Sequence, residues 1–226
     1  MINYNDLIEL KDGPVQYVPT GGGHLRLANH PYPWSIVNRE FDFIYNTIVD
    51  NKLTRGYEAC TGVGISGLAA ALAMKETGGK IVSLDAYVEE RLNFYNYDNQ
   101  KILLENADGY KSVFYLREKF KVEDQFLPEV GWTPDDVPAV IEKHFTEPLD
   151  YVFIDGGHVP SQLILDIEAV LPYTNDNTFW LFHDANHNLW TQPVIDYCRE
   201  KLNSELKIMC PHQEGCCDLG MLFKVK

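Results

Sequence analysis

The chain has no apolar run approaching the roughly 20 residues a membrane span needs, which excludes a spanning helix. Bases are scarce: 19 Lys and Arg stand against 33 Asp and Glu, a formal charge of −14. A surface that negative repels phosphate backbones and argues against nucleic acid as a partner. It favours solubility and can hold a divalent cation. The five cysteines are few and odd in number for 226 residues, so they do not read as a disulfide framework. Internal repeats, low-complexity tracts and long charge blocks are also missing. The opening stretch "MINYNDLIELKDG" mixes charged and polar residues and does not read as a signal peptide. The expectation is a cytoplasmic protein with no membrane contact.

What is present is a globular composition, 45% hydrophobic, in a length that suits one core. Residues 1–35 show Gly, Pro and aromatics without a period and read as an N-terminal arm; residues 36–226 read as one domain. From Trp34 to Asn51 apolar residues recur at helical spacing. Strands and helices then alternate: "RGYEAC", "ISGLAAALAMKETGG", "KIVSLDAY", helices over about 88–106 and 109–120, and a short strand near Gln125–Leu127. "VPAVIEKHF", "LDYVFID", "SQLILDIEAVLPY", "TFWLFHD" and "QPVIDYCREKL" continue the alternation. This order implies right-handed crossovers and a mostly parallel sheet covered on both faces. "LKIMC" and "LGMLFKV" have no helix between them and predict an antiparallel hairpin at one edge. The fold class is therefore α/β, Rossmann-like, with seven strands.

"EACTGVGISG" holds Gly62, Gly64 and Gly67, a literal GxGxxG between a strand and a helix. Alone this is weak, because such a turn also serves tight strand-to-helix packing. The next strand ends in Asp85, 18 residues beyond Gly67 and placed to accept from the two hydroxyls of a ribose. A nicotinamide dinucleotide and S-adenosylmethionine both fit. Glu58, four residues before Gly62, suits a cationic cofactor better than a pyrophosphate. The terminal hairpin points the same way, since a dinucleotide domain usually continues its parallel strands.

"EACTGVGISG", "IVSLDAY", "LDYVFIDGGH" and "FWLFHDANH", in that order, resemble class I S-adenosylmethionine-dependent methyltransferases. The match is best to the branch, methyltransferase family 24-like, whose fourth strand ends in Asp-Gly-Gly/Ala-His and whose fifth ends in His-Asp. The resemblance covers roughly residues 55–226. Cys60 departs from it, standing where the family often has its first glycine, against the methionine moiety. The insert 107–132 is long for the family. The resemblance implies Glu58, Cys60, Gly62 and Gly64 around the methionine and ribose, and Asp85 on the ribose hydroxyls. It also implies "GWTPDD", with Thr133 and Asp135, near the adenine.

Ligands of open α/β sheets bind beyond the carboxyl ends of the strands. Asp155 and His158 follow the fourth strand, and His183 and Asp184 end the fifth, so two acids and two imidazoles are expected to converge there. An alcohol needs help to attack a methyl group near neutral pH. A histidine, His158 or His183, can take its proton, or a divalent cation on Asp155 and Asp184, such as Mg²⁺, can lower its pKa. Metal-dependent oxygen methyltransferases, which the chain resembles, place acids at these two positions. Plainer roles stand beside each: His158 as a helix cap, His183 as a core histidine, Asn186 and His187 as helix-entry polar residues. Cys210, His212, Cys216 and Cys217 are too crowded for a good zinc site and read as a packed turn. The arm "GGGHLRLANHPYPW" reads as a lid, a dimer contact or a loose tail. The functional expectation is O-methylation of a small hydroxylated molecule such as a sugar or secondary metabolite, with metal assistance and homo-oligomerisation open. A nicotinamide-dependent oxidoreductase and a non-catalytic cofactor-binding protein are the alternatives.

Overall fold

The structure, a computed structural model, describes residues 4–10, 16–20, 23–28, 35–87, 108–156, 159–185, 192–211 and 218–224. The expected helix over 88–106, His158, Asn186, His187 and the cysteine-rich turn with His212, Cys216 and Cys217 lie outside those residues.

Seven strands form one sheet. In chain order they are β3 (Arg55–Ala59), β4 (Lys80–Asp85), β5 (Phe126–Val130), β6 (Leu149–Ile154), β7 (Thr174–Phe182), β8 (Ser204–Cys210) and β9 (Leu219–Lys224). Their spatial order is β5-β4-β3-β6-β7-β9-β8. The first five are parallel, β9 runs antiparallel to β7, and β8 closes the edge antiparallel to β9. The expected edge hairpin is present, and so is the pairing of the fourth and fifth strands, β6 and β7.

Helices cover both faces. Among the described residues they are α2 (Asn38–Asn51), α3 (Ile65–Thr77), α4 (Asp108–Phe120), α5 (Val137–His144), α6 (Pro160–Val170) and α7 (Gln192–Leu202), with a 3-10 turn at Leu171–Tyr173. Side chains of β6 divide between two cores: Tyr151 and Phe153 join Leu68, Met74 and Phe126, while Val152 and Ile154 join Ile141, Ile167 and Val194. A strand buried on both faces has no reason to alternate with polar residues, which explains the unbroken "YVFI". Helix α3 is buried nearly all round, and its alanines let it lie close between α2 and the sheet. Gly78, at φ +80°, ends it, the glycine stop expected there.

Three regions differ from the sequence reading. The third strand is longer than expected, Phe126–Val130, because β5 is an edge strand. Pro128, which reads as a breaker, is tolerated where one side of the strand needs no partner. The N-terminal residues are not wholly irregular. Among those described are a single helical turn, α1 (Asn5–Ile8), and an antiparallel pair, β1 (Tyr17–Pro19) with β2 (Leu25–Leu27). Tyr4, Leu7, Tyr17, Leu25 and Leu27 all enter the core beside α2. The elements are too short to leave a periodic signal. Helix α2 begins at Asn38 rather than near Trp34. Its first turn is closed by the Glu40 carboxylate, which accepts the Val37 N–H at 2.8 Å.

Candidate active site

Sheet register builds the site. Leu84, Ala59, Ile154 and Phe182 sit side by side on β4, β3, β6 and β7. One residue further on, the same row holds Asp85, Cys60, Asp155 and His183. The backbone ladder continues to that point: the N–H of Cys60 donates to Leu84 O, that of Asp155 to Ala59 O, and that of His183 to Ile154 O, at 2.8–3.1 Å. Four chemically active side chains thus share one edge, where the strand order reverses between β4, β3 and β6. That reversal is where open α/β sheets bind ligands.

Backbone conformation marks the same edge. Six non-glycine residues among those described have positive φ. Lys52, Lys121 and Asn203 end helices. The other three, Cys60 at +69°, Tyr87 at +51° and Asp184 at +51°, lie just past β3, β4 and β7. Left-handed backbone costs a side-chain-bearing residue energy, and such residues gather at functional sites. At the φ of Cys60 a glycine would be the least costly residue.

Gly62 at φ +54° and Gly64 at φ +84° carry the turn from β3 into α3. A Cβ on Gly64 would lie 2.7 Å from Val113 Cγ2. Gly67 serves packing instead: its Cβ would meet the Phe126 ring at 2.4 Å and Glu58 Oε2 at 2.8 Å. Asp85 closes the turn. Its Oδ2 accepts the Gly62 N–H at 2.8 Å and its Oδ1 the Tyr87 N–H at 2.6 Å, and the Thr61 backbone donates to the same carboxylate. Burial raises its pKa, and these backbone donors partly offset the rise.

Glu58 is fully buried beneath the turn. Its two oxygens accept from the hydroxyls of Ser66, on α3, and Ser83, its neighbour on β4. Burial pushes its pKa up to about 8, outweighing both hydrogen bonds. Thr133 and Asp135 are placed differently from each other. Gly131 N–H donates to Asp85 O at 3.0 Å, which brings "GWTPDD" to the Asp85 side of the edge. There Thr133 bonds Asp166 of α6, and Asp135 is exposed.

Asp155, His183 and Asp184 come together, each offering a ligand atom within 4.8 Å of the others. His183 Nδ1 is 3.3 Å from Asp155 Oδ1 and 3.7 Å from Asp184 Oδ1. Adjacent oxygens around a cation with bonds of ~2.1 Å are roughly 3 Å apart. The set therefore fits a small divalent cation. His183 is 9% and Asp184 6% exposed, so these two act at low dielectric, while Asp155 is half-buried. Burial alone would lower the imidazole pKa; Asp155 and Glu40 outweigh it and hold it well above the usual range.

Three buried acids, Glu40, Asp166 and Asp218, are not among the candidates the sequence yields. Glu40, wholly buried on α2, lies 3.4 Å from His183 Nε2. Asp166, 1% exposed, accepts from Gln162 at 2.9 Å, and its Oδ2 would touch a Cβ on Gly156 at 2.6 Å. This contact explains why residue 156 is glycine. The capping pattern at Val37 and Glu40 was the one available signal for Glu40, and valine in place of Ser or Thr hid it. A hollow of about 610 Å³ opens at the other end of β7, lined by Thr174, Asn177, Trp180, Ser204 and Lys224. It lies at the amino end of the parallel strands, and its acid, Asp176, pairs with Lys224 at 2.9 Å.

The architecture and the loaded carboxyl edge define the class I S-adenosylmethionine-dependent methyltransferase fold. The family described as "Methyltransferase domain", methyltransferase family 24, matches residues 59–185, more than half of the chain, and the protein belongs to it. Among curated proteins none matches in sequence. Among solved structures, the chain is similar to the O-methyltransferase from Bacillus cereus in complex with SAH, at 14% identity and TM-score 0.63 over 84% of this chain and 83% of that one. It is also similar to the O-methyltransferase TomG from Streptomyces achromogenes, involved in tomaymycin synthesis and solved with SAM. That likeness has 13% identity and TM-score 0.62 over 86% and 83% of the two chains. A precorrin-6y C5,15-methyltransferase from Geobacter metallireducens matches at 12% identity and TM-score 0.58 over 92% and 94%. Likeness at these identities carries the fold. The family decides for methyl transfer over nicotinamide chemistry.

Proposed function

We propose that the protein transfers a methyl group from S-adenosylmethionine to a hydroxyl oxygen of a small molecule, such as a sugar or secondary metabolite, with a divalent cation assisting. The observation that carries this reading is the convergence of Asp155, His183 and Asp184 beside the glycine turn. The choice of cofactor follows the family and is supported by similar structures that hold SAM or SAH.

In this reading Gly62 and Gly64 let the backbone approach the cofactor, and Asp85 accepts from the ribose hydroxyls. Glu58 acts from below, fixing the start of α3 through Ser66. Cys60 borders the methionine moiety, and Thr133 and Asp135 border the adenine. Asp155 and Asp184 hold the cation, with His183 beside them. When bound, the cation lowers the pKa of the acceptor hydroxyl. His158 is assigned the departing proton. The oxygen–carbon bond forms as the carbon–sulfur bond breaks, giving the methyl ether, S-adenosylhomocysteine and one proton. Alignment of donor and acceptor supplies much of the rate.

Thermal shift tests the cofactor: S-adenosylhomocysteine should raise Tm and NAD should not. The reverse would overturn the assignment. Asp155→Asn should lower turnover at least ~10²-fold while leaving the shift produced by S-adenosylhomocysteine in place. Unchanged turnover would remove Asp155 from the chemistry. EDTA should abolish activity and added Mg²⁺ or Mn²⁺ restore it.

A further inference from the structure

His183 has acids on both sides. Its Nδ1 faces Asp155 Oδ1 at 3.3 Å and Asp184 Oδ1 at 3.7 Å, and its Nε2 faces Glu40 Oε2 at 3.4 Å. Glu40 comes from α2, before the segment that matches the family, and has no exposed surface. Its Oε2 is fixed by the Val37 N–H at the start of that helix; its Oε1 and His183 Nε2 are both buried without a completed hydrogen bond, so the 3.4 Å contact is an ion-pair approach. A helix cap does not require a fully buried carboxylate aimed at an imidazole. A neutral imidazole can bind a cation through one nitrogen only if the other carries the hydrogen. Ligating histidines accordingly donate that second N–H to a carboxylate, which fixes both tautomer and ring orientation.

We propose that Glu40 is a positioning residue: by accepting the Nε2–H of His183 it presents Nδ1 as a third donor beside Asp155 and Asp184, making a site that prefers a d-block divalent cation to Mg²⁺. This rests on the cation reading of the preceding section and deepens it. Two carboxylates alone suit Mg²⁺, which takes oxygen ligands and keeps its water. An imidazole nitrogen in the set favours Mn²⁺, Fe²⁺, Co²⁺ or Zn²⁺. Nδ1 stands within 3.7 Å of both carboxylates, close to the spacing of neighbouring ligands.

The test uses the full chain freed of metal with EDTA, with Mn²⁺ and Mg²⁺ as probes in calorimetric titration. The expected result is Mn²⁺ bound at least ~10-fold more tightly than Mg²⁺. Glu40→Gln should lose roughly 10- to 100-fold in Mn²⁺ affinity and less for Mg²⁺. A Glu40→Asp variant, which keeps the charge, should recover part of that loss. The wild-type Mn²⁺ complex provides a readout independent of any variant's folding: electron spin echo modulation should show a directly bound ¹⁴N. If Mn²⁺ binds without a nitrogen coupling, or Glu40→Gln binds it as the wild type does, the role of Glu40 is overturned while the cation reading stands. If the wild type binds neither ion, both fall.

Discussion

At the scale of single residues, the site's electrostatics come from acids drawn out of water. Glu58 is the clearest case. Its carboxyl ordinarily titrates near 4.5 and here near 8. A raised folded-state pKa means that the folded chain holds this proton while the unfolded chain has released it. Stability therefore falls as pH rises from about 4.5 to about 8 and levels above that. Glu58→Gln removes the ionisation and keeps the shape. Melting curves between pH 5 and 9 should show the variant gaining on the wild type as pH rises and exceeding it above pH 8. A gap independent of pH would show that Glu58 is not protonated in the fold. Asp155, His183, Asp184 and Asp85 were legible as site candidates because each stands where an apolar run stops. Glu40 and Asp166 were not, because an acid inside a helix reads as a solvated face until tertiary contacts show otherwise.

The elements explain why that edge is shaped as it is. The turn between β3 and α3 is clamped from several sides. Asp85 binds Gly62, Glu58 binds Ser66, and Ser112 of α4 donates to Val63 O at 2.7 Å. Gly67 is the tightest point, with an aromatic ring and a buried carboxylate where a methyl would go. Gly67→Ala should destabilise by about 1–3 kcal/mol, the usual range for overpacking. It should also weaken binding of S-adenosylhomocysteine, because α3 must shift to make room. Denaturant titration and calorimetry check the two effects. Full stability in this variant would mean that Phe126 yields freely. Helices with caps and strands buried on both faces were readable from pattern. The edge strand β5 was only partly readable, since Pro128 reads as a break wherever both sides need partners.

For the molecule as a whole, the N-terminal residues change meaning. The sequence offered a lid, a dimer contact or a tail. The described part contributes Tyr4, Leu7, Tyr17, Leu25 and Leu27 to the core, and Tyr17 shares a hydrogen bond with Ser112, which in turn holds the glycine turn. His24, one of the arm's two histidines, is buried with Nδ1 2.6 Å from Ser35 O. Burying one large apolar side chain contributes ~1.5–3 kcal/mol, so five approach the ~5–15 kcal/mol that hold a whole domain folded. Deleting residues 1–28 should therefore abolish cooperative unfolding rather than turnover alone. A truncated chain that melts within a few degrees of the full one would show that these residues only cover the site.

By itself the sequence determined the order of the described strands and helices from α2 onward, the edge hairpin, the glycine turn and the acids at strand ends. Each is a local signal: an apolar run, a residue with no side chain at a turn, a charge where burial stops. The tertiary structure alone decided which acids meet. Sheet register set Asp85, Cys60, Asp155 and His183 in one row, and packing of α2 against the sheet brought Glu40 to the far side of His183 across more than a hundred residues of chain. Pattern records which face of an element is buried. Contacts between elements depend on how those faces stack, and that is fixed only when the whole core closes.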